Sequence, residues 1–130
     1  MNIQGDKVWD RSRSLWVKLT PEEHVRQWFV DQLIDHFNVA PTRLATEYSI
    51  VVADRRLRVD IAIFGIRSRQ VLALVECKAP SVVLCEATLR QGAAYNSTIK
   101  ARYIIFTNGA TTLIYDSDKH KFERELSAIL

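Results

Sequence analysis

Cysteine is scarce: only Cys77 and Cys85 occur in the 130 residues, and they are not in a C-x-x-C spacing. That argues against a zinc ribbon or a redox dithiol and predicts two small buried thiols in a reducing compartment. Histidine is almost as scarce. His24, His36 and His120 lie far apart and lack an H-x-x-x-H spacing, which argues against a zinc site. Four glycines and three prolines leave neither a linker nor a glycine-rich phosphate loop. Ser14, Ser49, Ser68 and Ser81 sit in no nucleophile elbow. No apolar run approaches the ~18 residues of a membrane span. The start, Met1 to Asp6, lacks the apolar core of a signal peptide, so a cytoplasmic protein with no membrane segment is expected. A dense basic stripe is missing too. The net charge is +3 and the pI about 9.0, with the positive residues scattered, which permits a polyanion partner without demanding one.

What is present suits one soluble domain: 48% hydrophobic and 25% charged residues, with no repeat. Residues 1–19 read as an N-terminal arm whose Val8, Trp9, Leu15, Trp16 and Val17 pack on the core, and residues 20–130 as a single domain. The first helix is well signalled. Thr20 caps it, Pro21 takes its first position and Glu23 completes a capping box. Val25, Trp28, Phe29, Leu33, Ile34 and Phe37 then follow at near-helical spacing, and Pro41 lies beyond the end. Strands are predicted over Ala45–Val52, Leu57–Phe64 and Val71–Lys78, with a turn at residues 53–56 and a loop at 65–70. A helix over Leu84–Thr98 and strands over Arg102–Thr107 and Thr111–Asp116, joined by Asn108-Gly109, complete the order α-β-β-β-α-β-β. The third strand is apolar at both parities, with Val71, Ala73, Val75 and Cys77 on one face and Leu72 and Leu74 on the other. Such a strand is covered on both sides, so an α/β fold with a central mixed sheet flanked by helices is expected.

That strand then presents Glu76 and Lys78 on the face of Leu72 and Leu74, because side chains alternate. Two ionised groups at the end of an apolar central strand are costly unless paired or bound to a cation. The second strand carries Asp60 on one face, with Arg58, Ala62 and Phe64, and Val59, Ile61 and Ile63 on the other. If Phe64 pairs near Leu72, Asp60 falls opposite Glu76, with Cβ atoms about 4.5–5.5 Å apart. Two such carboxylates become tolerable if one is protonated or a divalent cation lies between them, and oxygen ligands favour Mg²⁺. Lys78 can then hold or activate a water and neutralise charge developing on a phosphate. Spacing alone also allows a plain salt bridge of Lys78 with Glu76 or Asp60. On the following helix Gln91 and Tyr95 share a face, either beside that site or as solvated amide and core phenol.

The string from Arg58 to Phe64, followed by Leu74-Val75-Glu76-Cys77-Lys78-Ala79-Pro80, resembles the core of the PD-(D/E)XK nuclease superfamily. More narrowly it is similar to the N-terminal nuclease domain of type I restriction enzyme R subunits and their small stand-alone relatives. Gln91-Gly92-Ala93-Ala94-Tyr95-Asn96 is similar to the Q-x-x-x-Y element of that family, and Thr107-Asn108-Gly109 to its later strand–turn element. Leu19 to Glu23, with Val25-Arg26-Gln27, is similar to its first helix. The likeness runs from about Lys7 to Asp116, with Val59 in place of the proline of the motif name. It implies a restriction-endonuclease-like core over residues 20–130 and an Mg²⁺-dependent deoxyribonuclease, with Mn²⁺ as a substitute ion. It implies metal ligation by Asp60, Glu76 and the backbone carbonyl of Cys77, water activation by Lys78, and Gln91 and Tyr95 beside the site. A further carboxylate is expected from Glu47, or in second place Glu23. DNA is the implied partner, and a homodimer or association with larger restriction or repair subunits is compatible. Exposed Trp9 or Trp16 would signal such an interface. The competing reading is a DNA-binding or protein-interaction module that keeps the fold without useful catalysis.

Overall fold

The computed structural model describes residues 1–93 and 100–130, excepting the side chains of Val52, Thr88 and residues 91–93. Helix α1 (Pro21–Asp31) starts where the capping signals put it, with Glu23 N–H donating to Thr20 Oγ1 at 3.0 Å. Val25, Phe29, Val30 and Leu33 form its buried stripe. The regular helix is shorter than the spacing predicts. A wider π turn follows over Gln32–His36, closed by Phe37 N–H on Gln32 O, and Ile34 and Phe37 lie at the margin of the core.

Six strands make the main sheet: β4 (Leu44–Val52), β5 (Arg55–Phe64), β6 (Val71–Cys77), β7 (Tyr103–Thr107), β8 (Thr112–Asp116) and β9 (Lys121–Glu123), paired in that order. All neighbours are antiparallel except β6 and β7, so the sheet is mixed. Between those two lies helix α2 (Glu86–Ala93). On one face α1 covers Ile61, Ile63, Ala73, Val75, Ile105 and Ile114. On the other, Leu89 of α2 joins Ala62, Leu74, Ile104 and Phe106. Burial on both faces explains why β6 is apolar at both parities.

The predicted order omits four strands. Before α1, β1 (Ile3–Gln4), β2 (Lys7–Asp10) and β3 (Leu15–Lys18) form a separate three-stranded antiparallel sheet. β9 adds an edge to the main sheet. All four are short, two to four residues, and too brief to show an alternating pattern. Trp9 and Trp16 are half-buried and meet edge to face at 5.3 Å, so they do not offer the exposed aromatic patch that would mark an interface. Asp10, with no exposed surface, accepts hydrogen bonds from the amides of Ser12 and Arg13, Arg13 Nε and Thr46 Oγ1. Ser12 Oγ donates to Leu44 O and accepts from Thr46 N–H, so the β2–β3 turn closes on the outer edge of β4.

Three local details depart from the sequence reading. The β4–β5 turn is only Ala53-Asp54, both at positive φ, so Arg55 and Arg56 belong to the strand. A bulge at Ile63/Phe64 pairs Phe64 with Val71 instead of Leu72, and swaps their faces: Val71 joins the α2 side and Leu72 the α1 side. Val59 packs on the α2 side, not with Ile61 and Ile63. The cause lies opposite Asp60, where Glu47 takes φ +53° and interrupts the β4–β5 ladder. Leu44 packs on the α1 side, whereas Tyr48 and Ile50 beyond Glu47 pack with Val59 on the α2 side. Both strands invert their faces at the Glu47–Asp60 step. Of the two thiols, Cys77 is buried but Cys85 is exposed, because it lies in the surface loop with Val82 and Val83 ahead of α2.

Candidate active site

The β5–β6 ladder runs Ile63↔Ala73, Ala62↔Leu74, Ile61↔Val75. One more step in that register sets Asp60 opposite Glu76. The bulge lies toward the other end of the pair and leaves this step unaffected. Asp60 and Glu76 hydrogen-bond each other through their carboxyls, and Asp60 Oδ2 accepts the Cys77 amide at 2.8 Å. Burial and the neighbouring Asp60 charge push the Glu76 carboxyl up to about 7, against the pull of Lys78. Asp60 is also raised, by burial, while the Cys77 amide and Arg26 oppose the rise. The two carboxyls thus hold a proton between them near neutrality. Burial pushes the Cys77 thiol far up, so it stays protonated here.

Lys78 directly follows β6 and its amide donates to Thr107 O at 2.8 Å, extending the parallel ladder by one step. Asn108 fixes the loop beyond it. Its Nδ2 donates to Val82 O at 2.8 Å, while its Oδ1 accepts the amides of Ala110 and Thr111. Among the described residues Lys78 forms no ion pair with Asp60 or Glu76, so the plain salt bridge is not the arrangement found.

The cation paired with Asp60 is Arg26, which the sequence reading assigned no role. Its Nη1 reaches Glu47 Oε1 at 2.5 Å and Asp60 Oδ1 at 3.3 Å. Its Nε donates to Glu23 Oε2 at 2.7 Å, and its Nη2 pairs with Glu23 Oε1. Arg26 is buried and held charged by Glu23 and Glu47 despite burial. A signal for it exists: Arg26 lies three and four residues before Phe29 and Val30, on the apolar stripe of α1, where a guanidinium needs buried partners. Glu23 is correspondingly only half explained by the capping box. Its amide meets Thr20, but its carboxylate turns to Arg26 and Gln27. Glu47 is shared between Arg26 and Arg58, the latter at 3.1 Å, and these arginines hold its carboxyl below the usual range although burial opposes this.

Asp60, Glu76, Cys77 and Lys78 therefore converge, and Glu47 and Glu23 reach the same place through Arg26. Gln91 lies on α2 but its side chain is not described, and Tyr95 lies outside the described residues. Asp60 and Glu76 offer hard oxygen donors that fit a divalent ion, which would take the place of their shared proton. Glu47 is turned to its arginines, and no group of three His, Cys, Asp or Glu among the described residues is placed to hold a metal.

Comparison with known proteins bears on this arrangement. The profile of the family described as "Type I restriction enzyme R protein N terminus (HSDR_N)" matches residues 21–129. The chain belongs to this family. The match of this R-protein N-terminal domain begins at the first residue of α1, so it takes in Glu23, Arg26 and all six strands of the main sheet and leaves out the three-stranded sheet. No curated protein sequence matches. Among solved structures, a fragment of a putative HsdR subunit of a type I restriction enzyme from Vibrio vulnificus YJ016 is similar, with a TM-score of 0.61 at 16% identity. The alignment covers 81% of this chain and 22% of that one, so the chain spans about a fifth of the length of that relative. At such identity the likeness concerns the fold. No helix among the described residues is long and apolar enough to cross a membrane.

Proposed function

We propose that this R-protein N-terminal domain is an Mg²⁺-dependent deoxyribonuclease of the PD-(D/E)XK type, with Mn²⁺ as an alternative ion, acting in a restriction system. The observation that carries the reading is the Asp60–Glu76 carboxyl pair set side by side at the end of a central strand, with Lys78 two residues beyond Glu76. A bound divalent ion supplies Lewis-acid polarisation of a phosphodiester and of the attacking water. Asp60 and Glu76 would hold it, joined by the Cys77 carbonyl. Glu47 would contribute once released from Arg26. Loss of the proton from Glu76 prepares the pair for the ion. Lys78 orients the attacking water and balances charge developing on the phosphate. Gln91 and Tyr95 are assigned beside the phosphate on the strength of the motif. DNA is the proposed partner, and a second copy or larger restriction subunits the proposed assembly.

The test is cleavage of labelled single-stranded, duplex and branched DNA in Mg²⁺, Mn²⁺ or EDTA by the wild type, Glu76→Ala and Lys78→Ala. Metal-dependent cleavage lost in both variants is expected. Cleavage that survives either substitution, or that proceeds in EDTA, refutes the assignment. A second reading, a DNA-binding module without catalysis, is favoured by one observation: the Arg26 guanidinium already acts as the cation on Asp60 and Glu47. Binding without cleavage in every metal would select it.

A further inference from the structure

β6 pairs with β5 only from Ile61 onward, yet β4 and β5 continue to pair with each other as far as Val52↔Arg55. Five pairs, Tyr48↔Val59 to Val52↔Arg55, thus form a two-stranded ribbon beyond the site, roughly 17 Å long at strand rise. Its two faces differ. Tyr48, Ile50 and Val59 pack inward on the α2-side core, with Tyr48 edge to face on Phe64 at 5.5 Å. Outward it presents Ser49, Val51, Arg56 and Arg58, all exposed, with Arg58 opposite Ser49 and Arg56 opposite Val51.

The outer face carries Arg56 and Arg58 and no acid, while Arg55, on the other face, is exposed at the tip beside the turn. With Asp54 at the turn the ribbon has a net +2. Arg55 and Arg56 make no ion pair among the described residues, so their charge is free for a ligand. Arg58, 68% exposed, bonds Glu47 at the ribbon's base and stands two residues from Asp60 on the same strand. Arg56 and Arg58 therefore run along β5 toward Asp60, with Arg55 at the far tip. Val51, 69% exposed, lies among them as an apolar contact.

We infer that the β4–β5 ribbon is a docking surface for duplex DNA, with Arg55, Arg56 and Arg58 on backbone phosphates and the substrate strand led toward Asp60 and Glu76. A two-stranded ribbon is of a size to enter a major groove, and arginine forks suit phosphate oxygens. The choice of DNA as occupant rests on the nuclease reading above; the surface itself rests on the geometry of the ribbon.

The test measures binding of the full chain to a fluorescently labelled 20-base-pair duplex by anisotropy in EDTA, as a function of salt. No cleavage is needed, so a failure of catalysis and a failure of this surface are told apart. Arg55→Ala/Arg56→Ala is compared with Arg67→Ala/Arg69→Ala, which removes the same charge from the exposed loop at the other end of β5. The ribbon variant should bind about tenfold or more weakly near 0.1 M salt, with the slope of log K against log salt reduced by about 2. The loop variant should stay within about twofold of wild type. Neither variant should shift the melting temperature, since the four arginines are exposed. Equal losses in both variants would show mere bulk charge and overturn the inference. So would an unchanged salt slope in the ribbon variant, no duplex binding by the wild type, or a dimer that the ribbon variant converts to monomer.

Discussion

Replacing Glu76 by glutamine should make the metal-free protein more stable above neutral pH while leaving it unable to respond to metal. The Glu76 carboxyl is raised from an ordinary 4.5 to about 7 by burial and by the Asp60 charge. The folded state thus holds this proton more tightly than the unfolded chain. The resulting stability is fully present below pH 4.5 and is lost as pH rises through 7. The two decades from pH 5 to the folded value of about 7, at about 1.4 kcal/mol each, give a loss of about 3 kcal/mol between pH 5 and 8. That is a large share of the roughly 5–15 kcal/mol typical of a domain and equals roughly 10 °C in melting temperature. Glutamine keeps the shape and can still donate to Asp60, but does not titrate. Urea denaturation at pH 5, 6, 7 and 8 should therefore show wild type falling by about 3 kcal/mol relative to Glu76→Gln. The two should be close at pH 5, and the variant the more stable at pH 8. Millimolar Mg²⁺ at pH 8 should raise the wild-type midpoint, as ligand linkage requires, and leave that of the variant unmoved. Parallel pH profiles for the two proteins would refute the shared-proton account. An Mg²⁺ shift of equal size in both would refute Glu76 as a ligand.

Arg26→Ala should destabilise the fold by about 3–5 kcal/mol, because it strands Glu23 in a buried site, and Arg26→Lys should recover little of the loss since one ammonium cannot span Glu23, Glu47 and Asp60. Thermal melts at pH 7 decide this, and a loss below about 1 kcal/mol contradicts the network described. Asp10→Asn should cost about 2 kcal/mol at pH 7 through its charged hydrogen bonds. Burial alone would raise Asp10, but bonds from Arg13 and Thr46 hold its carboxyl below the usual 3.8, so its contribution is complete above that pH and fades as pH falls further. Denaturation at pH 7 and pH 3 should show the gap between wild type and variant closing in acid, and a constant gap would contradict it.

Register is readable from residues alone because the short loop at 65–70 joins β5 and β6 as an antiparallel pair, which fixes the approximate pairing of their near ends. That is why Asp60 and Glu76 could be set opposite each other from sequence, even though the bulge at Phe64 and the inversion at Glu47 were not foreseen. Those two features depend on backbone choices at single residues. A glutamate at φ +53° carries no compositional mark, unlike a glycine. Arg26 is hard to read from sequence for a different reason. Long charged side chains are normally read as solvent-facing, and only its place on the Phe29–Val30 stripe marks it otherwise. The three-stranded sheet was hidden by the brevity of its strands, and its anchor is a buried Asp10 whose partners come from both the turn and β4.

The contact of Ser12 with Leu44 and Thr46 has a practical consequence for anyone trimming the chain. β4 is the last strand of the main sheet, and an uncovered edge is a template for pairing with any extended segment. A fragment cut at Pro21, where the family resemblance begins, would keep every carboxylate of the candidate site. It would also lose the cover on that edge, the partner of Thr46 Oγ1, and the anchoring of Arg11 to Asp31 and Asp35. The twenty residues that the family boundary leaves out cover part of that edge, so a fragment starting at Pro21 is expected to self-associate more readily than the chain starting at Met1.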